Sequence, residues 1–287
     1  MTDLPSEKAS SIRTCLVVPC FNEGLRLEVE KFDSLIRDTR VNLLFVNDGS
    51  TDSTLQKISE IQQRNPLYVD VISLGTNSGK GEAIRVGLLK ATSTGYDQVG
   101  FMDADFAVPT DEVARFLGEI NRFPDKCVFF GSRVQLLGAE IFRTFKRYLF
   151  GRIFATLASV SIKENIYDTQ CGMKVFRTNL ELIESLQKRF RTRWLFDLEL
   201  IKRLNQNVVQ DPNSSWIREN GIEIPLRKWN EVEGSKFSFV AQIRTFLQLV
   251  ILIKESLRFC RYTRYGKSWK LPETTSYFEF AKYKKLK

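Results

Sequence analysis

Residues 42–54 read NLLFVNDGSTDST. An unbroken apolar run, Asn42–Asn47, passes straight into a cluster of Asn, Asp, Gly, Ser and Thr, and the stretch Asp52–Arg64 follows it. A short run that is apolar on both faces reads as a strand covered on both sides, as in parallel sheets. In the following stretch Leu55, Ile58 and Ile61 are spaced for burial along one face of a helix. Outward from this unit the pattern recurs. Strands are expected at Thr14–Pro19, Tyr68–Leu74, Gln98–Met102 and Cys127–Gly131. Helices are expected at Glu23–Asp38, with Leu27, Phe32, Leu35 and Ile36 on one face, and at Gly81–Thr92 and Pro109–Arg122. Apolar strands alternating with amphipathic helices predict an α/β fold of crossover units around a mostly parallel sheet. Such sheets bind ligands beyond the carboxyl ends of their strands.

The residues at those ends are polar and specific. They are Pro19-Cys20-Phe21-Asn22-Glu23, Asn47-Asp48-Gly49-Ser50, Asn77-Ser78-Gly79-Lys80-Gly81 and Asp103-Ala104-Asp105. All four clusters should meet on one rim. Asp103 and Asp105, one residue apart, can both reach a single hard cation, directly or through water. They can equally form a solvated turn ahead of the next helix. Asp48 can accept hydrogen bonds from a nucleobase or ribose, or sit in an ordinary Asp-Gly-Ser turn. Glu23 can play a matching ribose role, or be an acid favoured at a helix N-terminus. Gly79-Lys80-Gly81 offers close backbone approach and a cation for phosphate, although it lacks the spacing of a Walker A loop. No GxGxxG follows any strand, which counts against a dinucleotide cofactor. Three further clusters lie downstream: Asp168-Thr169-Gln170-Cys171-Gly172 with Lys174, then Trp194-Leu195-Phe196-Asp197, then Glu223-Ile224-Pro225.

The chain has 287 residues, enough for a sizeable core, and no histidine. Histidine-based nucleophile systems, a histidine general base and His-ligated zinc are therefore excluded. Of the net charge of +9, +7 falls between Lys254 and Lys287, where ten basic residues face three acidic ones. A near-neutral body with a basic tail suits a polyanionic surface such as anionic lipid. Nucleic-acid-binding signatures are missing, so nucleic acid is not an expected partner. Five cysteines, an odd number without a CxxC pair, read as reduced, mostly buried thiols in the cytosol. Residues 1–12 form a polar tail without the apolar core of a secretory signal. Near the other end the longest charge-free apolar stretch, Thr245–Ile253, has nine residues; a membrane span needs about 20.

Taken in order, PCFNE, VNDGSTDST, NSGKGEAIRVG, MDADFAVP, GSR, DTQCGMKVFR, RWLFDLEL and EIPLRKWNEVEGSK resemble the family 2 glycosyltransferases, and within them the polyprenyl-phosphate branch. The resemblance covers about residues 13–260 and is closest to the glucose-transferring members, with the mannose-transferring ones next. It implies a GT-A fold, Rossmann-like with helices on both faces of the sheet, as a catalytic domain over residues 13–236. It also implies amphipathic helices towards the C-terminus, residues 237–287. The implied reaction is an inverting transfer of a hexose from a nucleotide sugar, UDP-glucose before GDP-mannose, to a polyprenyl phosphate. A soluble family 2 transferase acting on a glycan hydroxyl is the alternative.

By that analogy Pro19, Asn22, Glu23 and Asp48 hold base and ribose, and Gly79, Lys80 and Ala104 line the diphosphate. Asp103 and Asp105 bind Mg2+ or Mn2+. Arg133, Arg143, Arg147, Gln170 and Lys236 face the sugar or the acceptor phosphate. Ala107 departs from the mannose type, which carries Gln there, and this removes one possible metal contact. A phosphate acceptor needs no strong base; a hydroxyl acceptor would need a carboxylate, for which Asp168 and Asp197 are the candidates. Two stretches, Ile141–Ser161 and Phe237–Arg264, mix aromatic and aliphatic residues with Arg and Lys and read as basic amphipathic helices. Their reading is peripheral attachment at the cytosolic face of a membrane, or packing of a core helix with a solvated basic face.

Overall fold

The computed structural model describes residues 12–142, 145–208 and 215–232. The expected tail at 1–12 (except its last residue) and the expected helix and tail at 237–287 lie outside them.

Four strands build the first half of the sheet: β1 (Thr14–Cys20), β2 (Asn42–Asp48), β3 (Val69–Leu74) and β4 (Gln98–Phe101). Between them run α1 (Val29–Thr39), α2 (Thr54–Arg64) and α3 (Lys80–Ser93), and α4 (Thr110–Ile120) follows β4. The second half adds β5 (Val128–Ser132), α5 (Phe145–Ile162), β7 (Lys174–Arg177), α6 (Leu180–Leu186), α7 (Phe196–Val208), α8 (Trp216–Asn220) and β8 (Gly221–Pro225). Two short strands, β6 (Glu140–Ile141) and β9 (Lys228–Trp229), pair apart from the main sheet. The seven main strands lie in the order β3-β2-β1-β4-β7-β5-β8. All are parallel except β7, which runs against both β4 and β5.

Side-chain alternation sorts each central strand between two cores. Leu16, Val18, Leu43 and Phe45 enter one, with Phe32 and Leu35 of α1, Ile58 and Ile61 of α2 and Phe116 of α4. Cys15, Val17, Leu44 and Val46 enter the other, with Ile84 and Leu88 of α3, Ala158 of α5 and Leu198 of α7. This is the doubly covered sheet expected from the apolar runs.

The expectations fail at four places. Helix α1 begins at Val29, not Glu23, because residues 22–27 form a turn. Asn22 sits there at φ +49°, and the Glu23 carbonyl accepts from the N–H groups of Arg26 and Leu27. Leu55 stays 41% exposed; Thr54 takes the buried place in the first turn of α2. Strands β7 and β8 were not expected, since each carries charged residues. The helix expected at Ile141–Ser161 forms at Phe145–Ile162 but is not apolar on one side alone. Ala155, Ala158 and Ile162 are buried, while Leu149, Ile153 and Val160 are exposed on the opposite side. Four cysteines are free thiols, of which Cys15, Cys20 and Cys171 are buried; Cys260 lies outside the described residues.

Candidate active site

Because β7 is reversed, its first residue, Lys174, pairs with Phe101 at the last position of β4. The loop before β7, residues 168–173, therefore reaches the rim where the four N-terminal clusters end. Chain reversal thus brings the downstream cluster to the upstream ones.

The loops after β1, β2 and β3 are braced by one another. Asp48, 2% exposed at the end of β2, accepts from the N–H of Ser78 at 2.7 Å and of Gly79 at 2.8 Å. Hydrogen bonds to an ionised acceptor contribute about 1.5–3 kcal/mol each. Asp48 thus fastens the loop after β3, where the sequence reading assigned it to the base or ribose. Gly79 adopts φ +96°, a conformation that L side chains rarely adopt, and its missing β-carbon leaves room for the Arg193 side chain. Arg193 also donates to the Asn77 carbonyl at 2.9 Å. Asn22 accepts from the Thr51 N–H at 2.9 Å, joining the loops after β1 and β2. Glu23 receives both Nε and Nη2 of Arg26 at 2.7 Å. Pro19 lies in β1 beside Val46, half-buried.

Asp103 and Asp105 follow β4. Lys80 Nζ lies 2.5 Å from Asp103 Oδ1, and Arg26 Nη1 lies 3.9 Å from Asp105 Oδ2. The loop is held by Phe106, a buried residue at φ +50°, whose ring centre is 4.5 Å from that of Phe32. The Ala107 N–H donates to Asp105 Oδ1 at 3.1 Å. Ala104 between the two acids is buried. Burial, then the charge on Asp103, raises the proton affinity of Asp105 above the ordinary carboxylate range. Burial alone would lower the Lys80 ammonium, but Asp103, Asp197 and Asp105 outweigh it and hold it above its usual value.

Two crowded carboxylates that offer only oxygen suit a hard divalent ion. Among the described residues no group of three or more His, Cys, Asp or Glu side chains is arranged to hold a metal. Mg2+ needs only one or two protein carboxylates when substrate phosphates and water complete its shell. Asp103 and Asp105 therefore fit Mg2+ or Mn2+ bound together with a diphosphate.

The far side of the rim is built from two ion pairs. Arg133, just after β5, forks onto Asp168 with Nε at 2.6 Å and Nη2 at 2.8 Å. The N–H groups of Tyr167 and Asp168 donate to Glu223 on β8 at 2.8 and 2.9 Å. Lys174, 1% exposed, pairs with Asp197 Oδ1 at 2.7 Å and donates to the Cys171 carbonyl at 2.6 Å. Gln170 Nε2 reaches Asp197 Oδ2 at 3.4 Å. Burial raises the proton affinity of Asp197, and Lys174 opposes the shift. Gly172 backs directly onto the Asp103 carboxylate; a β-carbon there would overlap it.

The structure therefore brings together Lys80, Asp103, Asp105, Arg133, Asp168, Gln170 and Asp197. Arg143, Lys236 and the side chain of Arg147 lie outside the described residues. Sequence reasoning did not assign Arg26, Gly172, Lys174 or Arg193 to the site. Gly172, Lys174 and Arg193 stand inside the quoted DTQCGMKVFR and RWLFDLEL segments, and Arg26 had the signal of its i+3 spacing from Glu23.

A family model described as glycosyl transferase family 2 matches residues 15–182. The chain is 30% identical over 260 residues to the dolichyl-phosphate beta-glucosyltransferase of Saccharomyces cerevisiae, covering 83% of this chain and 73% of that one. It is 28% identical to the human protein of the same name, covering 95% and 80%. Among solved structures it resembles glucosyl-3-phosphoglycerate synthase of Mycobacterium tuberculosis, in complex with Mn2+, UDP and glucosyl-3-phosphoglycerate. The TM-score is 0.54 at 17% identity, covering 85% of this chain and 80% of that one. At that identity the likeness concerns the fold, which is the GT-A arrangement expected from the sequence.

Proposed function

The chain belongs to glycosyl transferase family 2, and on that premise we propose that it moves glucose, with inversion, from UDP-glucose to a dolichyl-type polyprenyl phosphate. The names of the yeast and human relatives support this donor sugar and this acceptor. The observation that carries the reading is the state of the two candidate bases. Asp168 is forked by Arg133, and Asp197 is paired with buried Lys174. Neither carboxylate is left without a cation, so the site suits an acceptor that arrives already ionised. A phosphate monoester does, with a second pKa of about 6.

In this reading Pro19, Asn22, Glu23 and Asp48 line the base and ribose, and Asp48 also holds their neighbouring loop in place. Gly79 and Lys80 run along the diphosphate. Asp103 and Asp105 hold Mg2+ or Mn2+, which when bound neutralises charge on the departing diphosphate. Arg133 steers the acceptor phosphate, with Arg143, Arg147 and Lys236 as further cations for it, and Gln170 faces the sugar. An acceptor phosphate oxygen attacks the anomeric carbon from the face opposite the diphosphate. The new C–O bond forms as the bond to the diphosphate breaks, and the electron pair leaves with the diphosphate. No proton has to move.

Peripheral attachment at the cytosolic face of a membrane belongs to the same proposal. Exposed Phe142, Leu149, Ile153 and Val160 support it, as does the basic charge of the last 34 residues. No helix among the described residues is long and apolar enough to cross a membrane.

A second reading, a family 2 transferase acting on a hydroxyl, is favoured by one observation. The raised proton affinity of Asp197 would suit it to take the hydroxyl proton. The test is incubation with labelled UDP-glucose or GDP-mannose, Mn2+, a short-chain polyprenyl phosphate and a soluble oligosaccharide as competing acceptor, followed by solvent extraction. Label from UDP-glucose in the lipid phase is expected. Label from GDP-mannose alone would reassign the donor, and label found only in water-soluble glycan would favour the second reading.

A further inference from the structure

We infer that Lys80 is a placeholder cation: it neutralises Asp103 while the site is empty and yields it to a divalent ion only when a diphosphate is present to receive the ammonium. The inference rests on the reading of Asp103 as a metal ligand.

Three observations lead to it. First, Lys80 Nζ stands 2.5 Å from Asp103 Oδ1, so the ammonium occupies the ligand atom that a metal would use. Second, the backbone on each side of that contact is braced. Gly79, the preceding residue, has its N–H fixed by Asp48, and the Asp103 carboxylate is backed by Gly172. Third, what can move is the lysine stem, four carbons long and rotatable, in a side chain 27% exposed. Arg26 at 3.9 Å plays a weaker version of the same part towards Asp105.

The charge balance follows. Lys80 is the cation on Asp103, while Arg26 is shared between Glu23, which it forks, and Asp105. A divalent ion arriving alone must displace a bound ammonium and leaves the corner with excess positive charge. Arriving with a diphosphate, it brings anionic oxygens to which Lys80 can transfer. Metal and nucleotide are therefore coupled through Lys80, and the coupling is reciprocal.

The experiment is titration of the full chain with Mn2+, reading free Mn2+ by its paramagnetic resonance signal. It is run without nucleotide and with UDP, after subtracting the Mn2+ held by free UDP. Wild type should bind Mn2+ weakly alone and much more tightly with UDP. Lys80→Met and Lys80→Gln should each bind Mn2+ alone roughly five-fold or more tighter than wild type, and gain less from UDP. Lys80→Arg, which keeps the charge, should resemble wild type. Thermal melts establish that each variant is folded. If wild type is tight with UDP but neither neutral variant gains affinity for Mn2+ alone, the placeholder role is overturned and the metal assignment stands. If wild type binds no Mn2+ with or without UDP, both fall.

Discussion

Gly172 and Asp103 touch: the α-carbon of the first lies where any side chain would drive into the carboxylate of the second. Two loops 69 residues apart in the chain (172 − 103) are thus fitted to each other at one atom. Gly172→Ala must push Asp103 off its position while leaving both hydrophobic cores intact. Disturbing the groups that orient a metal ligand commonly costs about 10–100-fold in metal affinity or activity. The expected result is a loss of that size in Mn2+-dependent transfer, with an unchanged far-ultraviolet dichroism spectrum. Full activity in the variant would mean that Asp103 is not held where this contact places it.

Asp103→Asn and Asp105→Asn should each abolish metal-dependent transfer. Neither carboxylate supports the core, so melting temperatures should stay near wild type. Asp105→Asn should even relieve the repulsion that raises its proton affinity. Substantial transfer by either variant at saturating Mn2+ would exclude that acid from metal binding.

Phe106 combines an unfavourable backbone conformation with a fully packed ring. Truncation to Ala removes the packing, at a typical cost of about 3–5 kcal/mol for a buried Phe. Denaturant midpoints should fall accordingly. Donor affinity should fall as well, because the same ring anchors the loop that carries Asp105.

Lys174→Met removes the cation in contact with buried Asp197 and leaves it only the weaker influence of Lys80. Removing one partner of a buried pair costs about 3–5 kcal/mol. The sign of its pH dependence is fixed. Asp197 already binds its proton more tightly when folded than when unfolded, and loss of Lys174 strengthens that preference. The folded variant therefore holds more protons than the unfolded chain above the ordinary carboxylate range, and stability falls as pH rises through that window. Urea midpoints of Lys174→Met should recover as pH is lowered towards the ordinary carboxylate range. A midpoint that does not depend on pH there would show that Asp197 does not sense Lys174.

Arg133→Lys keeps a charge but loses the two-pronged contact with Asp168. The expected effect is on the acceptor: its KM should rise roughly tenfold, the scale of one charge-assisted hydrogen bond. The KM for UDP-glucose should barely change. Equal rises for both substrates would place Arg133 outside the acceptor side.

The first half of the fold could be read directly, because β1, β2 and β4 are apolar on both faces and each is followed by a polar cluster. Strand β7 could not. Its four residues, Lys174–Arg177, begin and end with a cation, and only the fold shows that Lys174 has a buried partner. The start of α1 was misplaced because Glu23 and Arg26 look like a helical first turn, whereas they close a loop at the rim. The donor clusters were visible because each is contiguous in sequence. The acceptor side was only partly visible because its contacts are long-range: Arg133 and Asp168 are 35 residues apart, and Asp168 and Glu223 are 55 apart. No local pattern encodes such a pairing: Gly172, Lys174 and Glu223 fall inside the quoted motifs, but a motif marks residues without saying which will meet.

The reversed strand also sets an order of assembly. β5 reaches β4 only through β7, which comes later in the chain than either. During synthesis β1 to β4 can zip together as soon as they emerge, but the edge of β4 must wait for Lys174–Arg177. Until then β4 presents an unpaired, apolar border of the kind that recruits other chains. The second half of the sheet is thus the last to be completed, and until then the open edge of β4 is the place where a nascent chain can pair with others.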